Sequence, residues 1–313
     1  MEEWPKRTKR ASLETAQTVY RVQNENLHPY PRSREESAMG EAVSAFVPGH
    51  ITGFFTTQPD PDPTKAGSRG AGLTLSDGVS VTVQPDDATT IVLNGEAVEM
   101  APVERVLDAL EVTAQVEATA AVPLGAGFGV SGGLSLGAAL AANRVFERGL
   151  STNELVTIAH GAEVQSGTGL GDVVAQARGG IPIRLEPGSP PHGTLDGIPD
   201  RARVEYVSFG ELSTADVLTG ETDHITQAGQ TALSRVVSEP TLGSFIYASR
   251  EFARETDLLT PTVTEAIRAV SEAGGQASMA MLGETVFALG TGLSDAGYDP
   301  EWCVTHPAGA TLE

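Results

Sequence analysis

The sequence predicts an α+β protein in two domains, and three observations lead there. Residues 42–122 hold several stretches in which apolar side chains alternate with polar ones, the period-two pattern of half-buried strands. Residues 222–273 carry helical patterning, followed by apolar runs near 276–282 and 285–289 that read as strands. Between these halves lies a Gly/Pro-rich stretch, 186–199, the candidate domain boundary. Strands first, then a helix-rich half with late strands, is an α+β order. The domains expected are 39–190 and 191–313.

Residues 1–38 stand apart. They carry seven basic and six acidic residues, whereas 39–313 carry 13 and 35. With little apolar periodicity and a polar, proline-containing stretch at 24–37, this extension is expected to be disordered or loosely attached. Met39 then opens a stretch that reads as a natural start, so the true start is expected there.

The elements follow in order. Residues 42–47 read as a strand, ended by Pro48-Gly49. Leu73 and Leu75, then Val79, Val81 and Val83, alternate around Ser76-Asp77-Gly78 and suggest a hairpin. Ile91 and Leu93 precede Asn94-Gly95, a type I′ turn signal. Residues 111–122 alternate cleanly as one strand, and Leu134, Ala138, Ala141 and Val145 share a helical face. Ser151 and Glu154 form a capping-box pattern ahead of a helix burying Leu155, Ile158, Ala159 and Ala162. A strand is expected at 204–209, and helices near 222–237, 241–256 and 261–273.

Composition excludes several classes of function. The formal charge is −21, from 41 acidic and 20 basic residues of which only Lys6, Lys9 and Lys65 are lysines. Such a field repels nucleic acid and anionic membranes, so neither is an expected partner. It fits a protein kept soluble in a cytoplasm at high salt, a halophilic habitat. No apolar run approaches the roughly 18 residues that span a bilayer. The basic start has no apolar run behind it to make a signal peptide, so the expected location is cytoplasmic. Cys303 stands alone, which rules out a disulfide framework. His160, His192, His224 and His306 have no metal-site spacing and read as surface or structural.

The segment that carries chemistry runs from Pro123 to Gly133, PLGAGFGVSGG, between the alternating strand and the alanine-rich helix. Its glycines let the backbone approach a ligand, and the free N–H groups of the following helix suit phosphate. A dinucleotide-binding G-x-G-x-x-G matches at 127–132, but Glu147, the candidate ribose acid, ends a helical pattern rather than a strand. A Walker A loop needs a lysine, and none follows Lys65.

Here the chain resembles the GHMP kinase family, whose second motif is P-x-x-x-G-x-G-x-S. Pro123, Gly127, Gly129 and Ser131 fill it at the right spacing. The first family motif corresponds to 47–53, VPGHITG, and the third more loosely to 274–283, GGQASMAMLG. This chain has His50 where many members have Lys or Arg, and Gly53-Phe54 where many have Gly-Glu. Those departures, with GSRGAG at 67–72 and GTGLGD at 167–172, resemble the archaeal branch that phosphorylates pantoate.

The resemblance implies a ribosomal-protein-S5-like domain followed by a ferredoxin-like one. It also implies ATP as phosphoryl donor, Mg²⁺, and a small alcohol as acceptor, with a homodimer plausible. Phosphate would lie on Pro123, Gly125, Gly127, Gly129, Val130, Ser131, Gly132 and Gly133. Mg²⁺ would be held by Ser131 and Glu163. Asp172 matches the family's catalytic aspartate, placed to accept the hydroxyl proton. Arg69 is the candidate for the acceptor's carboxylate, because a guanidinium grips a carboxylate with two hydrogen bonds, and His50 and Ser68 are candidates beside it. Another acceptor, such as mevalonate or homoserine, and a sensor that binds without turnover are the rival readings.

Overall fold

A long antiparallel ladder of β1 (Val43–Gln58) and β2 (Gly67–Pro85) organises the first half of the structure, a computed structural model that describes residues 42–211 and 223–313. The extension over 1–38, the start at Met39 and residue 222 lie outside the described residues. The ladder runs from Val43 opposite Val83 to Gln58 opposite Gly67.

The expected hairpin at Ser76-Asp77-Gly78 is absent, and β2 runs straight through it. The register slips there instead, with Pro48 facing Gly78 and Gly49 facing Leu75. Both apolar halves of β2 pair with the same strand, so Ser76 and Asp77 are the extra residues of a bulge and not the tip of a turn. Pro48, expected to end a strand, sits at that irregularity, the kind of place where a sheet tolerates a missing N–H.

β5 (Ala114–Ala120) pairs with the far half of β2, Val79 opposite Ala120. β3 (Thr90–Leu93) lies parallel to β5 and turns into β4 (Glu96–Ala97) through Asn94 and Gly95, at φ 52° and 85°, the left-handed pair of a type I′ turn. α1 (Ala101–Leu110), begun by a proline in its first turn and burying Val103, Val106, Leu107 and Leu110, is a helix the sequence analysis did not place. α2 (Val130–Val145) packs against β1, β2, α1 and α3 (Thr152–Ser166). The capping box forms at the start of α3, Ser151 and Glu154 exchanging hydrogen bonds.

After α4 (Asp172–Arg178), β6 (Pro182–Glu186) adds to the near half of β2, and β7 (Thr194–Gly197) pairs with β6. The Gly/Pro-rich stretch therefore holds a hairpin of the first sheet. The second sheet is antiparallel, in the order β11 (Glu301–Val304), β8 (Arg203–Glu211), β10 (Gly283–Leu289), β9 (Ala277–Ala280). α5 (Asp223–Ser238), α6 (Leu242–Glu255), α7 (Pro261–Glu272) and the short α8 (Gly292–Asp295) complete it. β12 (Thr311–Leu312) returns to β1, with Phe46 opposite Thr311.

Candidate active site

The glycine loop takes the conformation its composition suggested. Gly125, Gly127 and Gly129 have φ of 73°, 87° and 64°, values a side chain disfavours, and Gly129 is the N-cap of α2. The first N–H groups of α2, those of Val130, Ser131 and Gly132, offer the positive end of its dipole, whereas the Gly133 N–H, also expected to face phosphate, donates to the Gly129 carbonyl at 2.9 Å and closes the first helical turn. Phe128 points inward against Tyr206 of β8, ring centroids 4.8 Å apart, and its carbonyl accepts the N–H of His50 at 2.9 Å. Pro123 and Gly125 are exposed at the mouth of the loop.

Two of these glycines also answer to the protein itself. A Cβ on Gly132 would lie 2.9 Å from Gln176 Oε1, and one on Gly129 would lie 3.4 Å from Asp172 Cβ. The missing side chains let α4 close against the start of α2, which brings Asp172 to the phosphate loop.

Asp172 is the first residue of α4, at the end of the helix that favours a negative charge. Its Oδ1 lies 2.7 Å from His50 Nδ1 and 3.4 Å from the Thr52 hydroxyl, which donates to it. Burial works to raise the Asp172 pKa, but the hydrogen bond and charge of His50 and the field of Arg184 outweigh it and hold it low. Burial dominates for His50 and lowers its pKa against the pull of Asp172. The pair is therefore a neutral imidazole donating Nδ1–H to a carboxylate, with 28% of the Asp172 side chain open to solvent.

Glu163, on α3, is buried and collects three hydroxyls: Ser131 at 2.8 Å and Ser135 at 2.7 Å on Oε1, and Thr168 at 2.8 Å on Oε2. Burial raises its pKa more than these donors lower it. A carboxylate surrounded by neutral donors is short of positive charge, and an all-oxygen set of this kind suits Mg²⁺, which binds one or two carboxylates and completes its shell with phosphate and water. Glu163 and Asp172 face the same spot, since a Cβ on Gly169 would lie 2.9 Å from Glu163 Oε2 and 3.7 Å from Asp172 Oδ2.

Ser68 and Arg69 separate. Ser68 is buried and donates to the Leu170 carbonyl at 3.2 Å, one wall of the site. Arg69, its neighbour in β2, points to the opposite face, where Nε donates to the Leu185 carbonyl at 2.6 Å. The cation that reaches Asp172 is Arg184 of β6, which the sequence analysis missed. It is 2% exposed, and its Nε and Nη1 have no hydrogen-bond partner. A Cβ on Gly171 would lie 2.6 Å from Arg184 Nε and 2.7 Å from Ser68 Oγ, so both groups flank the residue before Asp172. Burial lowers the Arg184 pKa and the Asp172 charge raises it. A buried guanidinium with idle donors is costly unless an anion arrives. His160 is also buried, with Nε2 2.8 Å from the Ala66 carbonyl and its pKa lowered first by burial. No motif pointed to Arg184 in sequence, because only strand pairing brings it beside Ser68, Gly70 being its partner in β2.

The glycine loop with the start of α2, Asp172 with His50, Glu163 with its hydroxyls, and Arg184 are thus neighbours in the fold. Comparison with known proteins identifies the family. The model of the GHMP kinases N terminal domain matches residues 100–180. A pantoate kinase of Methanospirillum hungatei is 35% identical over 257 residues, covering 79% of this chain and 87% of that protein. One from Thermococcus kodakarensis is 35% identical over 263 residues, with the same coverage of each. A solved structure described as a phosphotransferase related to the CoA biosynthesis pathway superposes with a TM-score of 0.77 at 32% identity, covering 87% of this chain and 99% of that one. The chain belongs to the GHMP kinase family, as an ATP-dependent small-molecule kinase similar to the pantoate kinases.

Proposed function

We propose that this kinase transfers the γ-phosphoryl group of ATP to the 4-hydroxyl of pantoate, yielding 4-phosphopantoate and ADP for coenzyme A biosynthesis. The observation that carries this reading is Arg184. Its unpartnered, buried guanidinium stands beside Asp172, so an acceptor bearing both a hydroxyl and a carboxylate would satisfy the two groups at once.

The division of labour follows from position. ATP phosphates lie on the loop from Pro123 to Gly133 and on the first N–H groups of α2. Ser131 and Glu163 would hold Mg²⁺, which when bound supplies positive charge to the transferring group. Asp172 accepts the proton of the attacking hydroxyl, while His50 fixes the carboxylate through Nδ1–H and Arg184 anchors the acceptor's carboxylate with Ser68 beside it. Arg69 has no part in this reading.

The proposed roles all fall within 39–190, which we assign as the ATP-binding half. Residues 191–313 back it, for example through the Met281 N–H, which donates to the Thr52 carbonyl at 2.9 Å. No described helix is long and apolar enough to cross a membrane. A cytoplasmic location and a halophilic setting complete the proposal, the latter supported by the charge of −21.

The test is ADP release from ATP·Mg²⁺ at high KCl with pantoate, mevalonate and homoserine offered in parallel. Turnover with pantoate alone is expected. Turnover with a different acceptor would retire the substrate and keep the kinase, and nucleotide binding without turnover would point to a sensor.

A further inference from the structure

Gln176 is a fully buried polar side chain in the helix of Asp172 that no step above uses. It lies one helical turn after Asp172 in α4, on the same face. Its Nε2 donates to two carbonyls at once, Pro48 at 3.0 Å and Gly129 at 3.0 Å. Pro48 precedes His50 by two residues, and Gly129 is the left-handed N-cap of the phosphate-loop helix. Both partners are acceptors, so the amide can face them only through its NH₂ group. Oε1 is thereby turned toward Gly132, 2.9 Å from where a Cβ would stand, and is left without a donor.

The backbone of Gln176 is pinned as well. Its carbonyl accepts the N–H of Ala310 at 3.1 Å, in the segment that runs into β12. One residue thus joins the helix of the proton acceptor, the strand of its histidine partner and the hinge of the phosphate loop. An unsatisfied buried acceptor is a standing cost, and a residue chosen for packing alone would avoid it.

We infer that Gln176 is a positioning residue that sets the separation between the Asp172–His50 pair and the phosphoryl donor. Phosphoryl transfer is mostly alignment, and a misplacement of about 1 Å costs on the order of a hundredfold in rate. The amide acts through Pro48 and Gly129 and touches neither substrate. Its loss therefore lowers turnover without removing a binding contact, the signature of an interaction expressed at the transition state.

This inference rests on the kinase reading, but not on the identity of the acceptor. The experiment compares the full chain with Gln176→Met, which keeps volume and loses both donors, and Gln176→Glu, which sets a carboxylate against two carbonyls. Rates are normalised to nucleotide-binding protein and taken well below each melting temperature, with whichever acceptor the parent turns over best. The expected result is a fall in kcat of about ten- to a hundredfold for Gln176→Met and a larger one for Gln176→Glu. The nucleotide Kd and acceptor KM should stay within about threefold of the parent, as misalignment alone requires. A kcat within about twofold of the parent in both variants would overturn the inference. So would a nucleotide Kd or acceptor KM that worsens as much as kcat falls. Should Gln176→Met not fold, Gln176→Asn, which keeps the amide but cannot span both carbonyls, takes its place with the same two criteria. A parent that prefers an acceptor other than pantoate revises the proposed substrate and leaves this comparison intact.

Discussion

Two regions around buried glutamates, Glu163 in the first half of the structure and Glu205 in the second, are built to opposite rules. In the second sheet Glu205 and Arg203 sit two residues apart on β8 and pair, Nη2 to Oε1 at 3.1 Å, which gives the buried carboxylate a cation although Arg203 Nε itself has no hydrogen-bond partner. Glu205 also caps α8, accepting the N–H groups of Leu293 and Ser294 at 3.1 and 3.0 Å and the Ser294 hydroxyl at 2.8 Å. Burial opposes its ionisation, yet these donors and Arg203 win and lower its pKa. In the first half Glu163, on α3, has hydroxyls and no cation, its pKa is raised, and Arg184 of β6 has no anion in contact. The two glutamates are both buried yet stand in opposite states, and the arginine of the second region is partly exposed where Arg184 is not. Charges matched within the fold hold the fold together, while charges left unmatched mark where a ligand completes them.

Breaking the first region should cost activity, and breaking the second should cost stability. The largest effect expected is Asp172→Asn, which removes the proton acceptor and should cut turnover at least about a hundredfold with nucleotide binding kept. Steady-state rates beside a nucleotide titration decide it, and near-normal turnover would take Asp172 out of that role. Glu163→Gln should lower turnover by about a hundredfold and move the magnesium dependence to higher concentration. In metal-free protein at neutral pH the same change should be neutral or stabilising by thermal melting, because it removes an uncompensated buried carboxylate.

Arg184→Met should raise the acceptor KM about ten- to a hundredfold, the worth of one or two charge-assisted hydrogen bonds, with the ATP KM unchanged. Arg69→Ala should leave both within about threefold, so the pair of variants separates the two faces of β2.

The smallest effect on turnover is expected in the second sheet. Glu205→Gln should retain activity and lose about 1–3 kcal/mol of stability. The pH sign follows from the lowered pKa of Glu205. Its contribution is complete above the unfolded value of about 4.3 and is lost as pH falls through the lower folded value. An acid melt of the parent should show that loss, and Glu205→Gln should flatten it.

What was legible in the sequence depended on range. Asn94-Gly95, the Ser151 capping box and the glycine loop are set by interactions within a few residues, and each formed as expected. Ser76-Asp77-Gly78 carried the same kind of local signal but became a bulge, because both flanking runs had one long partner in β1. α1 was missed although Val103, Val106, Leu107 and Leu110 fall at i, i+3, i+4 and i+7, a stripe the sequence does show, whereas β6, β7, β11 and β12 are too short to show a period. In the site, Ser68 and Arg69 are equal in sequence, yet adjacent residues of a strand face opposite ways.

The sequence by itself determined the family and the shape of the glycine loop and offered the candidates Ser131, Glu163 and Asp172, Ser131 and Asp172 from glycine-rich motifs and Glu163 from the family resemblance and its helical face. Only the tertiary structure decided that His50 meets Asp172, that Arg184 and not Arg69 reaches it, and that Gln176 spans two carbonyls. The His50–Asp172 and Gln176–Pro48 contacts join residues 122 and 128 positions apart and Gln176–Gly129 spans 47, while Arg184 reaches the site through the pairing of β6 with β2.

 Contacts of that range depend on which strands pair and how closely two helices approach, and nothing in the local order of residues encodes either.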